Sequence, residues 1–386
     1  MTLKKLIILF SFAICLISTN AYSQLDNQIL STELPINAKD TNKLVFSFNS
    51  LNFLRNTEYF GSIEFGKTLF GYSLNPKLVY YPNSFVRVDI GGIFRKDFGT
   101  AEFTIIAPTY SIKISKNGYS GIFGNYEGGM SHQFIEPLFN IDYAITKPLE
   151  NGLQFKINKK RIFSDTWIDW QRMIYQGSPF KEEISAGTSN LITILGADKK
   201  FKISIPLQGI VHHFGGQIDT ARTAPLSTLV NLAGGLRFSV VFAENSFVKE
   251  LRSDNYLVTF HDGSPKKVEP YEDGYGIYLN LLVRTKLLNV MASYWNGEYY
   301  MAANGTQIYG SLNPVEPTVK SFREDSRQLL FLRLFYEQKF YKGLNLEVRV
   351  EPFYEFSRKA VDFSYSIYLR YNLDVKLAHM KPNFSE

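Results

Sequence analysis

The side chains able to do chemistry are few. The chain carries five histidines, His132, His212, His213, His261 and His379, and one cysteine, Cys15. A nucleophile activated by a base must lie within hydrogen-bond reach of it. No histidine stands in His-x-Ser or Asp-x-His spacing. Asp165 and Asp169 are two strand steps apart on one face, flanked by Trp167 and Trp170. They fit a carboxylate pair for acid/base work or a sugar-stacking patch, but fit an ordinary polar face better. His212 and His213 are adjacent, so on a strand they point to opposite faces and do not chelate one metal together. His261-Asp262 sits in a loop with no nucleophile at a convincing spacing, and no glycine-rich phosphate loop is present. The expectation from these residues is no catalysis, no cofactor and no metal.

What could position such side chains is bounded by composition. The 386 residues are 45% hydrophobic, 15% aromatic and 20% charged, with a formal net charge of +6. So many aromatics with so little charge exclude a disordered chain. A mean hydropathy of −0.12 excludes a bundle of membrane helices. It leaves open a transmembrane β-barrel, whose strands turn only alternate residues to lipid. No basic run interleaved with aromatics suggests nucleic acid.

Residues 1–23 read as a cleaved secretory signal. Lys4 and Lys5 precede the apolar stretch Leu6 to Ile17, and Ala21-Tyr22-Ser23 is a small-x-small cleavage site. Cys15 lies inside the apolar stretch after bulky Ile14, unlike a lipoprotein signal, and leaves with it. The mature chain therefore has no disulfide framework. Residues 24–42 are read as a short periplasmic segment, too short for the plug of a TonB-dependent transporter, and 378–386 as a tail.

From 43 to 377 the pattern is period two. Between Val361 and Leu377 every odd position is apolar or aromatic, while the even ones include Asp362, Ser364, Ser366, Arg370, Asn372, Asp374 and Lys376. This is a strand with one apolar and one polar face, roughly 55 Å long at about 3.3 Å per residue. The pattern recurs through Leu344 to Glu351, Ile277 to Arg284, Val230 to Val240 and Phe201 to Gln208. Short Asn/Gly/Lys/Pro turns alternate with longer connections. Sixteen strands are expected: 43–54, 68–81, 84–96, 101–114, 118–128, 152–158, 161–171, 183–196, 200–214, 228–242, 247–260, 274–285, 290–301, 327–340, 344–357 and 361–377. Loss of one weak hairpin among 152–158, 161–171 and 247–260 would leave fourteen. The fold class is all-β, a transmembrane antiparallel up-and-down barrel. Tyr80, Tyr81, Phe85, Phe340 and Tyr341 near short turns, and Tyr299, Tyr300, Tyr354 and Phe356 near outer ends, would form aromatic girdles.

At the level of architecture, the mature chain resembles sixteen-strand outer-membrane porins of Gram-negative bacteria. The resemblance implies that the third outer loop, 129–151, folds inward as a constriction, with His132, Glu136 and Asp142. It also implies a polar wall; the lumen-facing positions carry Lys77, Arg87, Asp89, Lys202, Arg237, Arg284, Arg333, Glu347, Arg349, Arg370 and Asp374. Basic residues outnumber acidic ones, so passive diffusion of small hydrophilic solutes with weak anion preference is expected. Pairing of these charges across strands is the structural counterpart of that reading. One departure is the carboxyl terminus, where Phe384 stands third from the end instead of a terminal aromatic. The alternative functions are a non-transporting anchor or accessory of a secretion, motility or envelope-assembly machine, and a soluble β-protein that binds carbohydrate. Expected partners are outer-membrane lipids, small solutes, and a second copy or an envelope protein. Neither Asn304-Gly305-Thr306 nor Asp219-Thr220-Ala221, both resembling glycosylation acceptors, is specific enough to carry weight.

Overall fold

The computed structural model describes residues 27–31, 33–197, 199–216, 225–267, 269–313 and 323–380. The proposed signal, the Asp219 motif and Phe384 lie outside them. The strands are β1 (Lys43–Glu58), β2 (Lys67–Asn83), β3 (Val86–Asp97), β4 (Ile105–Lys116), β5 (Tyr119–Asn125), β6 (Asn151–Lys159), β7 (Ile162–Arg172) and β8 (Glu182–Leu195). They continue as β9 (Phe201–Gly215), β10 (Ser227–Val241), β11 (Val248–Asp262), β12 (Asp273–Thr285), β13 (Asn289–Glu298), β14 (Ser326–Tyr341), β15 (Leu344–Glu355) and β16 (Ala360–His379). Each pairs antiparallel with its chain neighbours, and β1 pairs with β16, closing a barrel of sixteen strands. The fourteen-strand alternative fails because β6, β7 and β11 are all fully paired.

Closure follows from the alternation. Apolar side chains such as Ile106, Leu232, Leu257, Leu332, Val361 and Ile367 stand exposed on the outer wall. Their polar neighbours turn inward and are buried. Period-two patterning puts one face to lipid and one to the lumen, and closure leaves no unpaired edge. The turns of the short end match their chemistry. In the β4–β5 hairpin Asn117 and Gly118 both have left-handed φ, 54° and 77°, the geometry favoured by Asn-Gly. The interior prolines fall where one ladder is interrupted: Pro352 pairs with Phe363 of β16, while the β14 ladder skips it.

The interior is packed. Among loop residues, Phe134, Ile135, Leu138, Phe139, Ile308 and Tyr309 are buried against wall residues that include Trp167, Ile210, Tyr278, Trp295 and Phe353. Residues 27–31 and 33–36 also run inside: Ile29 and Leu30 pack with Leu51, Phe53 and Tyr368 of the wall and Ile141 and Ile145 of the loop. Two aromatics expected in the girdles face inward instead. Tyr81 is buried with its hydroxyl toward the Pro35 carbonyl at 3.5 Å, and Tyr300 is fully buried under Trp295. Tyr81 lies in β2, where adjacent positions alternate between faces, whereas Tyr300 lies past the end of β13, after Tyr299 turns the chain with a left-handed φ of 50°.

Candidate functional site

The connection between β5 and β6, residues 126–150, runs inside the barrel and is held there by charge. His132 lies between two carboxylates, Nε2 at 2.8 Å from Glu150 and Nδ1 at 3.0 Å from Asp165. Its ring stacks on Trp167 at 4.8 Å. Burial disfavours the imidazolium, but the two carboxylates outweigh it and push His132 up to about 9. Glu127 receives Lys113 at 2.7 Å and Arg87 at 3.1 Å. Burial works against its ionisation, yet Lys113, Lys156 and Arg87 bring it down to about 2. Asp142 takes the Arg55 guanidinium and Lys67, each near hydrogen-bond distance, and Glu136 takes Arg333 at 2.6 Å. With both ring nitrogens bound to carboxylates, His132 acts as an anchor.

The other expected lumen residues are mostly engaged in the same way. Arg87 and Lys77 share Asp89 at 2.9 and 3.2 Å. Arg237 pairs with Asp254, Arg284 with Glu250, and Arg349 with Glu347. Among the described residues Arg370 has no carboxylate within ion-pair distance, and Asp374 is exposed at the short-turn end. Lys202 lines a large cavity at the same end. Asp165 and Asp169 do not act as a pair. Asp165 serves His132, and Asp169 accepts the Asn151 backbone N–H at 2.7 Å.

A second histidine has a different environment. Ser185 of β8 and His212 of β9 are direct cross-strand partners on the lumen face. The Ser185 hydroxyl lies 2.9 Å from His212 Nδ1, where it can donate to the unprotonated ring nitrogen. Glu183, two residues before Ser185 and on the same face, has a carboxylate oxygen 3.8 Å from His212 Nε2. Two amides donate to the Ser185 oxygen, Gln171 Nε2 at 3.2 Å and Asn304 Nδ2 at 3.3 Å. His213 faces outward and meets Thr228 at 2.9 Å. The order of groups is hydroxyl, imidazole, carboxylate, with amide donors on the oxygen. These are the components of nucleophilic acyl transfer.

The wall is low beside this cluster. β4 runs up to Ile105, yet its pairing with β5 begins only at Ser111–Gly124. β5 and β6 stop at Asn125 and Asn151, while β7 continues to Arg172. The result is a notch at the long-loop end, filled in part by residues 143–150. A pocket of about 350 Å³ occupies it, lined by Ile105 and Asn151 on the wall, Tyr143, Lys147 and Leu149 on the loop, and Gln171, Glu183 and Asn304 toward the cluster. Among the described residues no group of three His, Cys, Asp or Glu side chains converges as a metal site.

Fold and exterior define a sixteen-strand barrel of the outer-membrane type. OprD from Pseudomonas aeruginosa is similar at 10% identity and a TM-score of 0.51, covering 87% of this chain and 95% of that one. OmpT from Vibrio cholerae is similar at 9% identity and a TM-score of 0.48, covering 85% and 99%. No curated protein sequence matches. Residues 36–380 match the family described as lipid A 3'-O-deacylase-type, so the chain belongs to that family. That membership overturns the expectation of no catalysis, because the family is named for an enzyme activity. The expectation rested on motifs spaced along the chain, whereas Ser185 and His212 are 27 residues apart and meet across a ladder.

Proposed function

We propose that the protein is an outer-membrane acyl-ester hydrolase acting on a lipid A-like glycolipid, exported by a cleaved signal. The observation that carries the reading is the Ser185–His212–Glu183 cluster beside a pocket in the wall notch. The long loops mark the cell-exterior end of such barrels, so the notch stands at the level of the outer leaflet. In this mechanism Ser185 Oγ attacks the acyl carbonyl carbon and its proton passes to His212 Nδ1. Glu183 steadies the imidazolium, and the Asn304 and Gln171 amides stabilise the oxyanion. The C–O bond to the sugar then breaks, and the leaving hydroxyl takes the proton from His212. Water, deprotonated by His212, hydrolyses the acyl-enzyme and releases a free fatty acid. Ser185 is buried behind the two amides, so substrate access requires their side chains to part.

The test is fatty-acid release from lipid A in mixed micelles, followed by mass spectrometry. Ser185→Ala and His212→Ala should each lose at least 100-fold while retaining heat-modifiable gel mobility. Unchanged release by Ser185→Ala would overturn the assignment. A second reading, passive solute diffusion with weak anion preference, is favoured by the basic lining of the cavity at the short-turn end. The packed loops of the outer half argue against it, and single-channel recording with ion selectivity decides.

A further inference from the structure

At the short-turn end the lumen opens into a cavity of about 1,070 Å³, roofed by Glu127 and Gln133. That volume is at the upper end for small-molecule sites, roughly 300–1,000 Å³. Lys113, Lys156, Lys202, Arg237, Lys339 and Arg370 reach it from strands spaced around the circumference. Carboxylates neutralise several: Lys113 pairs with Glu127, Lys156 with Glu33, and Arg237 with Asp254.

Arg370 differs from them. It is 4% exposed, and its hydrogen bonds run to the Ser31 carbonyl and, at 3.2 Å, to Asn49 Oδ1. Both acceptors are neutral, and its Nε has no partner. A buried guanidinium without a counter-charge is costly, and its planar fork suits a tetrahedral oxyanion. Lys202 and Lys339 add charge to the same cavity with no carboxylate within ion-pair distance among the described residues.

We propose that this cavity is a binding site for a small phosphorylated anion, anchored by Arg370 and supported by Lys202 and Lys339. The site opens on the periplasmic side, remote from the wall notch, and stands whether or not the hydrolase reading does. The experiment is calorimetric titration of the mature chain in detergent with inorganic pyrophosphate. Saturable one-site binding is expected, weakened at least tenfold by Arg370→Met and unchanged by Arg172→Gln at the opposite rim. Should Arg370→Met fail to show heat-modifiable mobility, the Lys202→Gln/Lys339→Gln double variant decides, with a weakening of at least threefold expected. Absence of saturable heat, equal affinity for succinate, or affinity within twofold of the parent in the folded variants would each overturn the proposal.

Discussion

Ser185 and His212 face one another across the β8–β9 ladder, hydroxyl oxygen to ring nitrogen at 2.9 Å, with Glu183 on the far side of the ring. Few contacts in this barrel join a nucleophile to a base. If the cluster works as a unit, its members should differ in weight. Glu183→Gln keeps the shape and removes the charge, so fatty-acid release should fall roughly 10–100-fold, less than for Ser185→Ala. Asn304→Ala removes one oxyanion donor and should lower kcat by about 10²-fold or more with little change in KM. Steady-state kinetics on lipid A micelles checks both.

The inward loop should loosen at both ends of the pH scale. His132 is raised from its ordinary 6.5 to about 9, so its contribution is complete below pH 6.5 and is lost as pH rises through 9. At about 1.4 kcal/mol per unit this amounts to roughly 3 kcal/mol. Glu127 is depressed from 4.5 to about 2, so its contribution is present above pH 4.5 and is lost as pH falls toward 2. Limited proteolysis of residues 126–150 should be slowest between pH 4.5 and 6.5. His132→Gln should flatten the alkaline arm, and cleavage that stays constant from pH 6 to 10 would contradict the assignment.

Trp295 lies flat over a glycine pair. Gly276 and Gly297 are cross-strand partners, and a Cβ built on either would stand 2.3 or 2.6 Å from the indole ring. Gly276→Val should displace the ring and cost about 1–3 kcal/mol. A lowered unfolding temperature with retained barrel mobility is the expected outcome, and Trp fluorescence should report the shifted ring.

Leu332 sits mid-strand in β14 with its side chain on the outer wall, next to Arg333 on the inner one. Leu332→Arg should therefore destabilise the barrel by about 2–4 kcal/mol in a bilayer. Folding titrations in lipid vesicles give the value directly, and a neutral result would place this face outside the hydrocarbon region.

The architecture was legible because closure repeats one simple rule sixteen times. Alternation along Val361 to Leu377 already states which side chains meet lipid, and even the weak strands 152–158 and 161–171 find partners as β6 and β7. The reactive cluster was not legible. With strands at 183–196 and 200–214, a turn centred on residue 198 sets Ser185 opposite Val211. In the structure the ladder starts with Leu195 opposite Ile203, a register that would carry Ser185 to His213, and an irregularity between Thr193 and Leu195 moves it by one residue so that His212 faces Ser185. A one-residue slip exchanges every face, so no spacing along the chain could reveal the contact.

The sequence by itself determined the barrel, its strand number and its apolar exterior, because period-two alternation and turn residues are local properties of the chain. It also marked the inward-facing charges. Only the tertiary structure decided which of those charges neutralise one another, that residues 27–31, 33–36 and 126–150 enter the lumen, and that Arg370 has neutral partners among the described residues. Those outcomes depend on ladder register and on contacts between residues 27 to more than 300 positions apart, which local pattern does not encode.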